Sequence, residues 1–528
     1  MLKGCRTQAL ALTAVAIGAL FALSPEEAAA QNLKIVMESR LGVLDPTITG
    51  AHQSRDHGYL IYDTLLALDA DQTIQPQMVD AWEASEDGKT YTFTLRDGLA
   101  FHDGAPVTSA DAVASIKRWA QRDRMGKVVM ENVAEITTPD DKTFVIAQKE
   151  PSDLLLTAFA KPSGMPLFVM PERVAATPAT EAITDYTGSG PFKFVADQFE
   201  PGARAFYEKN EAYVPRDEPP SWFAGGKVAK VDSIERIEMR DPMTALNALL
   251  NGEVDYLQAV PLDLIPMVPT DGSIVVHQQD MIGYQIGYRF NHLNPPFDNK
   301  AVRHAAMQAI GQEEGLLAQF GDPQFFQICG AAFGCGLPYE SDVMADLVIE
   351  SDVDGAKETL ASSGYNGELV RILRASDVNT SEIPLVMAQK LREVGFNVDV
   401  ESMDFMTMLS RRANMGPTGD GGWSIFVTSW HNVEISDPIR SFMVSAEGKD
   451  GYAGWPTEPR IAEGVKAFQL ATSEEERKQI TEDMQKIIYE EGIFAPQGSF
   501  ARRGGWRSNV SGVIDAPANV FWNISVDK

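Results

Sequence analysis

The sequence has little of what most enzymes and nucleic-acid-binding proteins display. Its 528 residues include three cysteines and seven histidines, and positive charge is scarce. Against 45 Lys and Arg stand 74 Asp and Glu, a formal net charge of −29. A surface so acidic repels nucleic acid and anionic lipid and favours solubility, which excludes nucleic-acid binding. There is no His-Glu-x-x-His zinc signature and no phosphate loop ending in Gly-Lys-Ser/Thr. The nearest approach to a nucleophile elbow, Gly188-Ser189-Gly190, runs straight into Pro191 and lacks the Gly-x-Ser-x-Gly spacing. With so many carboxylates, close pairs arise by chance and do not indicate acid–base catalysis. Neither a catalytic role, a metal site nor a cofactor is expected. Tandem repeats of roughly 20–50 residues are absent, as are low-complexity tracts.

Long hydrophobic runs are also missing, with one exception at the start. Lys3 and Arg6 precede an apolar run from Ala9 to Leu23, and Ala28-Ala29-Ala30 follows. At about fifteen residues the run is too short for a comfortable bilayer span, and the basic, apolar and small-residue order reads as a cleavable signal peptide over residues 1–30. Cys5 lies before the apolar run, where it cannot serve as a lipoprotein attachment cysteine. The leader carries two basic and two acidic residues, so its removal leaves the net charge unchanged. The remaining cysteines, Cys329 and Cys335, stand with five residues between them in the segment ICGAAFGCG. In a secreted chain such a pair reads as a structural disulfide. The competing metal pair lacks further Cys or His close by.

What is present reads as a layered α/β protein. Composition is ordinary, 44% apolar and 23% charged, and about 500 residues is too long for one core, so two or three lobes are expected. Tyr91, Phe93 and Leu95 alternate with Thr92, Thr94 and Arg96 as a half-buried strand. Thr108 and Asp111 form a capping-box start to a helix with Val113, Ile116 and Trp119 on one stripe. Asp241-Pro242 starts a helix that buries Leu246, Leu249 and Leu250 and ends before Gly252. Ser381 opens a helix that stops at Gly395, and Phe396, Val398 and Val400 alternate as the next strand. Pro- and Gly-rich breaks at 187–191, 215–226 and 416–422 mark lobe edges. None is a flexible linker, so the lobes are expected to pack together, with the chain crossing between them more than once.

The stretch DAWEASEDGKTYTFTLRDGLAFHDGAPVTSADAVASIKRW, residues 80–119, resembles the signature of the family 5 extracellular solute-binding proteins, the peptide, nickel and opine receptors of ABC importers. Further similar motifs follow in order: TGSGPFKF at 187–194, YEKNEAYV at 207–214, ALNALLNGEVDY at 245–256, FNHLNPPFDNKAVRHAAMQAI at 290–310, AQKLREVGFNVDV at 388–400 and the Asp437-Pro438 turn. Each is weak alone, and their order over essentially the whole mature chain is specific. The resemblance implies an α/β bilobal periplasmic-binding-protein fold, type II-like, with an extra small α/β domain in the N-terminal lobe. Lobe I would comprise 31–70, 187–280 and 495–528, the inserted subdomain 71–186, and the ligand-closing lobe II 281–494. Hinge crossings would fall near Gly287 to Asn291 and Phe494 to Gly498. The implied function is a non-enzymatic periplasmic receptor that closes on a small polar solute, a di- or oligopeptide, and delivers it to the transmembrane subunits and cytoplasmic ATPases of an importer. A receptor of this kind is expected to work as a monomer.

The segment WSIFVTSWHNVEISDP, residues 423–438, is the expected pocket. It offers Thr428, the amphipathic Trp430, His431 as a ligand contact or turn cap, Glu434, and Asp437 at the turn. In peptide-binding relatives an Asp three residues before the acidic-Pro pair holds the ligand's α-ammonium. Glu434 has that spacing, with one methylene more, and Trp430 stands one residue further back than in the relatives. The resemblance also implies that Arg374, after the strand-like VRIL run, clamps the ligand's carboxylate through its planar fork. From the other lobe, the loop Thr47 to Gln53 would face the cleft, with His52 as its contact. The alternatives are a receptor for an opine, a metal chelate or an organic acid, a secreted hydrolase on the same fold, and a periplasmic holdase.

Overall fold

Thr108 donates its backbone N–H to the Asp111 carboxylate at 2.8 Å and its hydroxyl oxygen accepts the Asp111 N–H, closing the capping box that opens helix Ser109–Ala120 in the computed structural model. The structure describes residues 31–280, 282–471 and 473–527. The signal peptide expected over residues 1–30 lies outside these. The other local signals act as directly. Asp241 caps helix Pro242–Leu250 through the Thr244 N–H. Gly395 ends helix Ile383–Val394 at a φ of 114°, left-handed backbone that glycine adopts without a Cβ clash. That helix starts two residues later than its expected opening at Ser381, because Glu382 takes the N-cap position and Pro384 sits in the first turn.

Three larger sheets follow, each with its own apolar core. The first has seven strands in the order Ile274–Gln278, Arg503–Arg507, Tyr256–Leu257, Asn32–Val36, Ser233–Ile237, Arg204–Lys209, Phe192–Phe194. Asn32–Val36 runs parallel to both its neighbours, whereas the outer pairs are antiparallel. The second has six strands: Phe326–Gln327, Ala495–Phe500, Tyr284–Phe290, Ile425–His431, Leu369–Ala375, Asn397–Met403. The third is an antiparallel sheet of four strands, Val79–Ala84, Thr90–Leu95, Thr143–Gln148 and Val133–Thr137. Tyr91, Phe93 and Leu95 point into its core, where Phe93 stacks on Phe144 at 4.9 Å beside buried Ile116 and Trp119. This third sheet and its helices fall within residues 71–186, the stretch expected to form the inserted subdomain.

Sheet membership moves the expected crossings. The chain passes from the first sheet to the second between Gln278 and Tyr284, and returns between Phe500 and Arg503. Gly287 and Gly498, which bound the crossings implied by the resemblance, lie inside strands of the second sheet. Glycine is needed at 287 for packing: a Cβ there would overlap the Phe494 ring. Residues 495–500 therefore pair within the second sheet, not the first. The core beneath the four-stranded sheet also takes in Ile439 and Phe468 from the part of the chain that carries the second sheet. Among the described residues no helix is long and apolar enough to cross a membrane. Cys329 and Cys335 form a disulfide.

Candidate functional site

Strand Ile425–His431 lies centrally in the second sheet, between Tyr284–Phe290 and Leu369–Ala375. Its β-branched and aromatic start, Ile425 to Val427, is buried on both faces, and Thr428 beyond it is buried opposite Gly287. The strand ends where His431 becomes the cap of a short 3-10 turn, Asn432–Glu434. His431 Nδ1 accepts the Val433 N–H at 3.2 Å, which leaves Nε2 to donate to Asp280 at 2.7 Å. Asp280 also accepts the Ile282 and Gly283 N–H groups in the crossing segment. His431 thus caps the turn and ties the end of the strand to the crossing.

The turn delivers Glu434 into a buried junction. Its Oε1 lies 3.0 Å from His52 Nε2, 2.6 Å from the Ser163 hydroxyl and 3.1 Å from the Gly164 N–H. A carboxylate only accepts, so all three groups donate. Burial alone would raise the Glu434 carboxyl. The His52 imidazole outweighs it, helped by His431 and the Arg55 guanidinium, and holds the group well below the usual carboxylate range. Oε2, equally buried, has no hydrogen-bond partner among the described residues. Arg55 stands behind this centre, itself buried, ion-paired with Asp56 at 2.8 Å and donating to the Ser163 oxygen at 2.6 Å.

Trp430 is half-buried, its ring 5.8 Å from Phe442 and 6.2 Å from Tyr452, and its Nε1–H is a second buried polar atom without a partner among the described residues. Asp437 is buried and turns inward: it accepts the Ile439 and Arg440 N–H groups at 2.9 Å and pairs with the Arg440 guanidinium. Arg374 is committed locally. Its Nε donates to the Ser381 carbonyl at 2.7 Å, Nη1 to Ser402 Oγ at 3.3 Å, and Nη2 pairs with Glu382 at 3.0 Å.

Of the residues singled out from the sequence, the structure brings His52 and Glu434 into contact and places Trp430 and His431 on the same strand end. Each hydrogen bond and ion pair recorded for Arg374 stays within its own half of the molecule. Sequence reasoning missed Ser163, Gly164 and Arg55. The only sequence signal for the first two was the turn-like Lys161-Pro162-Ser163-Gly164. It also missed Asn379, whose amide reaches Glu38 at 3.4 Å from the loop next to Arg374.

The comparisons agree with this architecture. A family model described as bacterial extracellular solute-binding proteins, family 5 Middle, matches residues 73–452. A Sinorhizobium fredii protein named "Probable peptide ABC transporter periplasmic-binding protein" is 36% identical over 518 residues, 97% of this chain and 96% of its own. Two solved structures share the fold, a mixed α/β periplasmic-binding-protein fold. The Helicobacter pylori DppA in complex with peptide STSA has a TM-score of 0.76 at 19% identity, covering 94% of this chain and 99% of its own. AgaA from A. tumefaciens R10 in complex with agropinic acid has a TM-score of 0.76 at 21% identity with the same coverage.

Proposed function

The chain belongs to family 5 of the bacterial extracellular solute-binding proteins, which bind solutes without transforming them, and from that premise we propose that it is the periplasmic receptor of an ABC importer for short peptides, handing them to the membrane permease. One observation carries the peptide reading. Glu434 is a buried, ionised carboxylate with one oxygen saturated by three donors and the other unpartnered among the described residues. An unmatched buried acceptor is costly unless a donor arrives with the solute, and a peptide's α-ammonium supplies a charge-assisted one. The unpartnered Trp430 Nε1–H offers the complementary donor for a peptide carbonyl.

The engagement of Arg374 with Glu382 supports peptides of variable length over a fixed dipeptide, since no committed clamp then fixes where the solute's carboxylate must lie. Calorimetric titration with di-, tri- and tetraalanine, their N-acetylated forms and an opine acid tests the reading. Free-amine peptides should bind and acetylated ones should not. Equal affinity for acetylated and free peptides, or binding of the opine acid alone, overturns it in favour of a non-peptide solute.

A further inference from the structure

We infer that the inserted subdomain is a third wall of the solute site: its turn over residues 161–164 positions Glu434 by holding Oε1, a contact that forms without the solute and leaves Oε2 for it. This rests on the reading of the chain as a receptor that closes on its solute, and adds to it a specific positioning element.

The turn follows helix Leu154–Ala160 and is pinned from three sides. Lys161 Nζ pairs with Asp123 at 2.5 Å, both buried, and also donates to the Ser163 carbonyl at 3.2 Å. Tyr59 donates its hydroxyl to the Pro162 carbonyl at 2.9 Å, and Trp119 Nε1 donates to the Met165 carbonyl at 2.7 Å. Gly164 sits at a φ of 74°, the left-handed region that lets its N–H turn towards the same oxygen as the Ser163 hydroxyl. The direction of that hydroxyl is set by Arg55. A guanidinium can only donate, so the Ser163 oxygen must accept from Nη1 and its single proton is left for Glu434. The result is a cradle of a hydroxyl and an amide around one carboxylate oxygen, on a turn held by contacts that do not involve Glu434.

The partners in this contact are 271 and 270 residues apart in the chain. Other contacts of the subdomain reach the same half of the molecule. Arg124 donates to the Ser441 carbonyl at 2.9 Å and lies 5.6 Å over the Phe442 ring, which itself packs on Trp430. Asp153 pairs with Arg477 at 2.5 Å, and Ile439 and Phe468 are buried in the subdomain's core. The subdomain therefore grips the Glu434 side at both its polar turn and its apolar core. With Oε1 taken, a solute cation meets one carboxylate oxygen in a fixed place instead of a freely rotating carboxylate.

Hydrogen exchange of the solute-free full chain, followed by mass spectrometry at single-amide resolution, tests this. In Glu434→Ala the Gly164 amide should exchange at least about tenfold faster than in the wild type, while the amides of strand Thr143–Gln148 keep their protection. Ser163→Ala should weaken the affinity for trialanine and reduce the preference for trialanine over N-acetyl-trialanine, and Ser163→Thr, which keeps the hydroxyl, should restore both. Unchanged Gly164 exchange in Glu434→Ala, or equal affinities of the Ala and Thr variants at 163 for a trialanine that the wild type binds, overturns the inference. The exchange measurement contains no solute, so failure of trialanine to bind would count against the peptide reading and not against this contact.

Discussion

Two charged positions, Glu434 and Arg374, look alike in the sequence: each stands beyond an apolar run, and the family resemblance implies a ligand contact for each. In the structure they differ in where their partners come from. The partners of Glu434 lie on helix His52–Ile61 and in the turn at residues 161–164, hundreds of residues away. Those of Arg374 lie seven, eight and 28 residues off, on its own sheet or the loop that follows. A buried charge satisfied from distant parts of the chain depends on how those parts meet, which is why the proposed function rests on it. A charge satisfied by its neighbours holds a loop in shape.

The first way to break this comparison is to remove Glu434. Glu434→Ala should weaken trialanine binding by about 2–5 kcal/mol, the cost of leaving a desolvated ammonium unpaired, as read by calorimetry. Glu434→Asp restores the charge but sits a methylene short of the cradle, and should recover only part of the loss. A loss within experimental error in the alanine variant would place Glu434 outside the solute site.

A second test concerns the covalent brace behind the Glu434 turn. The disulfide loop packs against that turn, with Gly334 beside the Asn432 side chain, and Gln285 donates to the Ala331 carbonyl at 2.7 Å. Among the described residues no disulfide backs Arg374. Replacing both Cys329 and Cys335 with Ser should cost about 2–3 kcal/mol of stability in the chain-entropy account of a short loop, seen as a lowered denaturation midpoint with an unchanged denaturant slope. It should also loosen the Asn432–Glu434 turn more than the Arg374 loop in hydrogen exchange.

The third test is pH. The ordinary value for a glutamate is 4.5, and the folded protein holds Glu434 well below it. A depressed carboxyl contributes stability that is fully present above its unfolded value and is lost as pH falls through its folded one. The melting-temperature difference between wild type and Glu434→Gln should thus stay level from neutrality down to pH ~5 and narrow only below the usual carboxylate range. A difference already closing between pH 7 and 5 would show that the carboxylate is not held this way.

The contrast also marks what the sequence can show. Capping at Thr108 and Asp241, the stop at Gly395 and the alternation through Tyr91–Leu95 were legible because each depends on residues a few positions apart. Fold class and family were legible from many weak motifs in a fixed order. The crossings lie a few residues from where the resemblance implies them, because residues 284–290 and 495–500 pair with each other in the second sheet, a long-range contact that motifs along the chain do not reveal. Ser163 and Gly164 were invisible as site residues for the same reason. The commitment of Arg374 was closer to hand: Glu382, eight residues on, is a carboxylate at the start of the next helix, and it competes directly with any ligand for the guanidinium.

That competition makes Arg374 the finest test of the comparison. Arg374 and Glu382 form a partly exposed pair, and pairs of this kind contribute about 0–1 kcal/mol. Three of its five N–H groups are bonded to Ser381, Ser402 and Glu382, which hold the guanidinium against its own sheet. Arg374→Ala should therefore change trialanine affinity by less than about 1 kcal/mol, well under the effect at Glu434. Glu382→Gln separates the two roles further. If the pair is structural, neither variant shifts the affinity. If Glu382 is a gate that yields to the solute, its neutral variant binds more tightly and the alanine at 374 binds more weakly by several kcal/mol, which would return Arg374 to the site as the carboxylate clamp the family resemblance implies.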